Sequence, residues 1–394
     1  MRYLVHFALA TLVLVVALTG CNYWVDPYAV FRDSVLGVVP QRIMNERIFK
    51  TVRLAREPAD VVIIGTSRAD IGIAREQPAL PGRALLNLSI YNQMIYETRS
   101  LLERATQDGR PRTVVMGLDF FAFNALADPP SDYVKDNYSE TRKAALLLSV
   151  STLSDGISRL RRPQPGVNDC CYADGFRTPN LPERLRGNYH RSFTESERLY
   201  LMDKYLPYPE CTFAYVGRGH ETASTLQDLR AILDMAHHKH IDLRLFISPS
   251  HARQWETLAA GGLWDDWEDW KRKLVALNEQ EARYAEQPPF PLWDFSGYDE
   301  VSTEELPGDG EARLMRNYTD SSHFTTVIGQ RVVARLFGSH DMWGTQLTTA
   351  NVETHLAEIH TARQRYRRSH PRDVAEIEAA ARQAAHDKHC AGAT

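Results

Sequence analysis

The sequence predicts a mixed α/β protein, a three-layer α/β/α sandwich around a mainly parallel sheet, and three observations lead there. Short continuous apolar runs, Val61-Val62-Ile63-Ile64, Ala84-Leu85-Leu86-Asn87-Leu88 and Thr113-Val114-Val115-Met116-Gly117-Leu118, are too brief for helices. They also lack the polar alternation of a half-exposed strand, so both faces are expected to be buried. Amphipathic stretches lie between them, as the crossovers of parallel strands require. The pattern resumes at Asp242-Leu243-Arg244-Leu245-Phe246-Ile247-Ser248 and Pro291-Leu292-Trp293-Asp294-Phe295, which extends one sheet over most of the chain. Composition agrees with a globular protein, at 43% hydrophobic and 24% charged residues. With 46 Lys and Arg against 50 Asp and Glu, no basic excess exists to neutralise phosphates, which excludes nucleic acid as a partner.

The elements fall in the following order. Residues 1–21 form an export signal or membrane anchor, and 22–59 a linker with a first helix. The sheet domain covers 60–340. Within it, 163–221 changes character, with Pro, Gly, Asn and charged residues dominating, and is expected as a lid-like insertion. Residues 341–394 are polar nearly all round, broken by Pro371, and are expected as a solvated C-terminal helical tail.

Arg2 precedes an almost wholly apolar run from Tyr3 to Leu18 that ends in Leu18-Thr19-Gly20-Cys21. Two readings fit: a cleaved lipoprotein signal with Cys21 lipidated, or an uncleaved single span with Asn22, Tyr23 and Trp24 at the interface. Both place the remaining chain outside the cytoplasm, held at the membrane in a cell envelope. Cys170, Cys171, Cys211 and Cys390 are then free to pair. Neighbouring cysteines bond each other poorly, so Cys211 is expected to join Cys170 or Cys171. No CxxC spacing suggests a thiolate metal site.

The chemistry lies in two segments. The first strand runs into Ile64-Gly65-Thr66-Ser67-Arg68, which sets Ser67 on a tight turn at the carboxyl edge of the sheet, where ligands bind in open α/β folds. Near the last helix, Asp320-Ser321-Ser322-His323 spaces a carboxylate and an imidazole to meet across one turn. Asp320 would then hold His323 in one tautomer, with the other ring nitrogen facing a serine as general base. Each segment also has a bland reading as a helix cap.

Together these residues resemble the SGNH (GDSL-type) hydrolase superfamily. The resemblance implies a flavodoxin-like sandwich, with Ser67 as nucleophile and His323 and Asp320 completing the triad. It matches Asn87-Leu88-Ser89-Ile90-Tyr91-Asn92 to the second block, with Asn92 in place of the oxyanion glycine. It matches Gly117-Leu118-Asp119-Phe120 to the third, with Asp119 in place of an asparagine. The oxyanion donors it implies are therefore Ser67, Asn92 and Asp119. Asn accepts left-handed backbone angles, so the backbone donor at Asn92 survives the exchange. An ionised Asp119 would repel the oxyanion and could donate only if protonated by burial; otherwise it merely bonds the loop after the third strand. The stretches Asn22 to Tyr28, Gly117 to Asn124 and Phe246 to His251 are similar to membrane-anchored bacterial SGNH-like proteins related in architecture to glycan O-acetyltransferases and D-alanyl transfer proteins. That implies a serine esterase or O-acyltransferase, without cofactor, acting on an acylated glycan or other envelope polymer, with a membrane acyl-donor protein as a further partner. The alternative is a catalytically inactive scaffold or glycan-binding component.

Other features are weighed beside these. Arg68 either binds an anionic substrate or pairs with Asp70, and His251 is a substrate-binding candidate or a helix cap. Trp255, Trp264, Trp267, Trp270 and Trp293 cluster as packed core or as a sugar-stacking face, core being favoured. His237-His238-Lys239-His240 suits a helix C-terminus better than a metal site.

Overall fold

The structure is a computed structural model that describes residues 1–28, 30–31, 45–107, 111–130, 140–161, 172, 175–179, 181–207, 209–217, 224–308 and 310–390. It divides into two compact units, one of residues 1–57 with 131–178 and one of 58–130 with 179–394. The stretch expected as a single insertion, 163–221, is thus shared between the units, and much of it falls outside the described residues.

The first unit is helical. The apolar run forms the helix Arg2–Val25, which passes through exposed Cys21 without a break. Its best window has mean hydropathy 2.3 and no burial, so it is long and apolar enough to cross a membrane or serve as a signal sequence. At about 1.5 Å per residue it spans roughly 36 Å. Asp26, in the left-handed region at φ 38°, ends the helix, and its carboxylate accepts from the N–H groups of Val30 and Phe31. Asn22 donates to the carbonyls of Leu147 and Ser149 at 2.8 and 2.9 Å. Tyr28, Val30, Ile48 and Leu146 form a small core beside it.

The second unit holds the six-stranded sheet, in the order β2-β1-β3-β4-β5-β6. The strands are β1 (Val61–Ile64), β2 (Leu85–Asn87), β3 (Thr113–Leu118), β4 (Asp242–Ile247), β5 (Leu292–Asp294) and β6 (Thr345–Gln346). The first five pair in parallel, and β6 runs antiparallel to β5. Every residue of β1 and β3 is buried, which is why both read as unbroken apolar runs. In this order, β1 is followed in sequence by β2 on one side and then by β3 on the other. The connections therefore diverge between the carboxyl ends of β1 and β3, the switch point at which open α/β sheets bind ligands.

Two helices meet closely at this edge of the sheet. A Cβ at Gly329, in the helix Thr326–Leu336, would collide with the carbonyl of Gly72 at the end of the helix Ser67–Gly72. One at Gly72 would strike the ring of Phe324. Glycine at both places lets the segment that follows Ser67 pack directly on the segment that follows His323.

The C-terminal segment is helical as expected, over Val352–Ser369 and Pro371–Asp387, but it is not a solvated tail. Val374, Ile377, Ala381 and Ala384 form a buried stripe, and the second helix packs on the helices Ala252–Ala260 and Tyr189–Tyr200. Buried Arg253 ties the three together, with Glu197 at 2.6 Å, Glu376 at 2.7 Å and Asp373 at 3.2 Å. The stripe is half alanine, so it offers little apolar bulk, and its anchoring charge is carried by another helix. Cys211 also departs from expectation: it bonds Cys390 across a Cα separation of 5.7 Å, while Cys170 and Cys171 lie outside the described residues. Trp255, Trp267 and Trp270 are core, with the Lys271 ammonium lying over the Trp267 ring. His237 is buried on Phe290, whereas His238 is exposed beside Asp234.

Candidate active site

β1 ends at Ile64, and Gly65 and Thr66 turn the chain into the short helix that Ser67 opens. Thr66 caps that helix by accepting from the Arg68 N–H. Ser67 is thereby held at the carboxyl edge of the sheet and is nearly enclosed, at 4% exposure. The histidine reaches it from a tight loop closed by a bridge between Tyr318 and Phe324 and by a Thr319 N–H to His323 carbonyl bond of 2.9 Å. Inside this loop Asp320 Oδ1 accepts the N–H groups of Ser322 and His323 at 2.8 and 3.0 Å, and also the Ser196 hydroxyl at 3.2 Å. Asp320 Oδ2 accepts from His323 Nδ1 at 2.7 Å. His323 Nε2 is then the accepting nitrogen, 2.8 Å from Ser67 Oγ. Burial pushes the Asp320 carboxyl upward, but the adjacent imidazole and the N–H bonds outweigh it and hold the group below its ordinary value.

Asn92 adopts the left-handed conformation, φ 54°, on a turn tied to the loop that carries Ser67 by the Ile90 N–H to Gly65 carbonyl bond of 3.0 Å. The backbone N–H groups of Ser67 and Asn92 take no backbone carbonyl among the described residues, the condition an oxyanion site needs.

Asp119 does not serve as a third such donor. It sits just past the end of β3, almost wholly buried, and both of its oxygens accept: Oδ2 from the Thr66 hydroxyl at 2.6 Å, Oδ1 from Arg68 Nη1 at 2.8 Å. Arg68 pairs with Asp119, and its guanidinium is enclosed, which removes it from contact with a bulk anionic substrate. Its Nε donates to Ser322 Oγ at 2.9 Å, and its plane lies 5.4 to 5.7 Å from the rings of Phe121, Tyr200 and Trp255. His251 is likewise committed elsewhere. It caps the helix Ala252–Ala260 through Nδ1, its Nε2 donates to the Glu304 carbonyl at 2.7 Å, and burial lowers its pKa to about 3. It is a neutral structural histidine and not a substrate ligand.

Several site residues went unmarked in the sequence. Tyr200 accepts from the Ser322 hydroxyl over 2.6 Å, Ser196 braces Asp320, and Gln254 links Ser321 to Tyr205 at 2.9 and 2.8 Å. Tyr200 and Tyr205 bracket a single π turn, Leu201–Tyr205, a rare geometry often found at functional sites. Among the described residues no group of three or more His, Cys, Asp or Glu converges to hold a metal. A cavity of about 320 Å³ lined by Arg112, Lys239 and His240 lies by the amino ends of β3 and β4, the edge away from Ser67. No family model matches the chain, and no curated protein matches it.

Proposed function

We propose that the protein is an extracytoplasmic serine esterase or O-acyltransferase of the SGNH type, acting on an acylated envelope glycan. The observation that carries this reading is the relay Ser67 Oγ to His323 Nε2 at 2.8 Å and His323 Nδ1 to Asp320 at 2.7 Å. Its position at the carboxyl edge of a mainly parallel sheet supports the three-layer SGNH arrangement. His323 takes the Ser67 proton as Oγ attacks an ester carbonyl, and the oxyanion is received by the N–H groups of Ser67 and Asn92. Collapse gives an acyl-serine and a protonated leaving alcohol. Water or a glycan hydroxyl, deprotonated by His323, then releases the acyl group. A membrane protein that delivers acyl groups is the partner a transferase would need.

The test is intact-mass spectrometry after treatment with a fluorophosphonate. One adduct on the wild type, absent from Ser67→Ala and strongly reduced in His323→Ala, is the expected result. A folded wild-type chain that takes no label sinks the catalytic reading. The second reading, a non-catalytic scaffold of the same fold, draws support from both Asp119 oxygens acting as acceptors, from Thr66 and Arg68, where the resemblance implies a donor. A deletion phenotype that Ser67→Ala complements fully would favour it.

A further inference from the structure

The resemblance sets Asp119 in place of a side-chain amide that would assist the oxyanion, and a bare carboxylate in that place would oppose the developing negative charge. The geometry resolves the conflict in a specific way. Asp119 holds Thr66, the residue before the nucleophile, while its partner Arg68 holds Ser322, the residue before the base. Ser322 is gripped from a second side, since Asp320 accepts its backbone N–H. The Arg68 guanidinium is fixed in turn by three aromatic faces and by its burial.

We infer that Arg68 and Asp119 are a positioning pair that ties the nucleophile turn to the histidine loop and replaces the amide donor of the third block. The inference rests on the catalytic reading above. The pair neutralises its own charge, so the oxyanion meets a dipolar strut instead of a bare carboxylate, and the Ser67 to His323 distance is set by bonds on both of its sides. Neither residue touches the reacting atoms. The oxyanion donors this leaves are the backbone N–H groups of Ser67 and Asn92.

This predicts an inverted response to a substitution toward the family pattern. If Asp119 were a defective oxyanion donor, Asp119→Asn would raise activity. If Asp119 and Arg68 position the triad, Asp119→Asn lowers kcat for p-nitrophenyl acetate by roughly 10- to 100-fold with KM little changed, since small misplacements of reacting groups carry costs of that size. The comparison uses the full chain in detergent, normalised to the fraction labelled by fluorophosphonate, so that loss of folded protein does not count as loss of kcat. The double variant Arg68→Gln with Asp119→Asn, which restores a neutral hydrogen bond, is expected to recover part of the loss. Asp119→Asn activity at or above wild type overturns the inference. If Asp119→Asn fails to fold, Ser322→Ala removes the strut to the histidine loop together with the bond to Tyr200, and Tyr200→Phe removes the latter bond alone; a kcat loss in Ser322→Ala beyond that in Tyr200→Phe supports the inference and an equal kcat overturns it. The far-downfield proton resonance of His323 Nδ1–H separates this idea from the catalytic reading. If the wild type shows that resonance but no esterase activity, its loss or shift in Asp119→Asn supports the pair while the hydrolase reading falls. An unchanged resonance overturns the pair.

Discussion

Asp320 divides its two oxygens between folding and chemistry: Oδ1 closes the loop on the N–H groups of Ser322 and His323, and Oδ2 holds the imidazole. Asp320→Asn keeps the shape but presents an amide where His323 Nδ1–H needs an acceptor, which favours the wrong tautomer. We expect kcat for ester hydrolysis to fall by about 10⁴-fold, the effect of the equivalent change in a Ser-His-Asp protease. The same residue gives a pH signature. Its native pKa is depressed, so its stabilising contribution is complete above the ordinary aspartate value of about 3.9 and is lost as pH falls through the lower native value. Urea unfolding should show Asp320→Asn less stable than wild type at neutral pH, with the gap closing in strong acid. A gap that persists in acid would rule out an ionised Asp320 as its source. The contacts among Ser67, His323 and Asp320 were legible because each residue rests on local grammar: a strand followed by a glycine turn, and an acid three residues from a histidine. Arg68 and Asp119 were visible as chemistry but not as a pair. Tyr200 and Ser196 were not visible at all, because a helix distant in sequence supplies them and nothing local marks a tyrosine or serine for that duty.

At the scale of elements, the parallel strands were legible because burial on both faces makes them continuous apolar runs, as in β1 and β3. The short edge strand β6 was not, since its two residues, Thr345 and Gln346, take their place only by pairing with β5. The C-terminal helices were legible as helices but not as packed ones. Their docking depends on an alanine-rich stripe and on Arg253, whose charge belongs to a different element. The contact between Ser67–Gly72 and Thr326–Leu336 has a sharper consequence. At Gly329 an added methyl meets backbone, which cannot swing aside as a side chain can. Gly329→Ala should therefore destabilise the protein by about 1–3 kcal/mol, the range for overpacking, despite the better helix propensity of alanine. It should also reduce fluorophosphonate labelling, because the helix it displaces follows directly on the His323 loop. Denaturant unfolding and labelling rate together check this. Greater stability with unchanged labelling would show that the two helices adjust freely and do not set the site.

For the whole molecule, the helix Arg2–Val25 and the Cys211–Cys390 bond make linked demands on the compartment. A disulfide persists where the surroundings are oxidising, and the apolar N-terminal helix is long enough to be a signal sequence or a membrane anchor, either of which would fit such a compartment. The bond joins residues 179 apart and pins the end of the last helix to the segment after the π turn. Closing so long a loop restrains the unfolded chain more than the folded one, and disulfides of this kind contribute typically about 2–4 kcal/mol. A chain lacking residues 2–25 and kept in a reducing cytoplasm is therefore expected to carry both thiols free, as counted by alkylation and mass spectrometry. It should unfold at lower denaturant than the full-length chain recovered from membranes, and mild oxidation should close most of the gap. Cys390→Ser in the full-length chain should reproduce the weaker state and no longer respond to oxidation. Equal stability of the reduced and oxidised forms would mean that the packing of Val374, Ile377, Ala381 and Ala384 holds the C-terminal helix unaided, with no contribution from the bond.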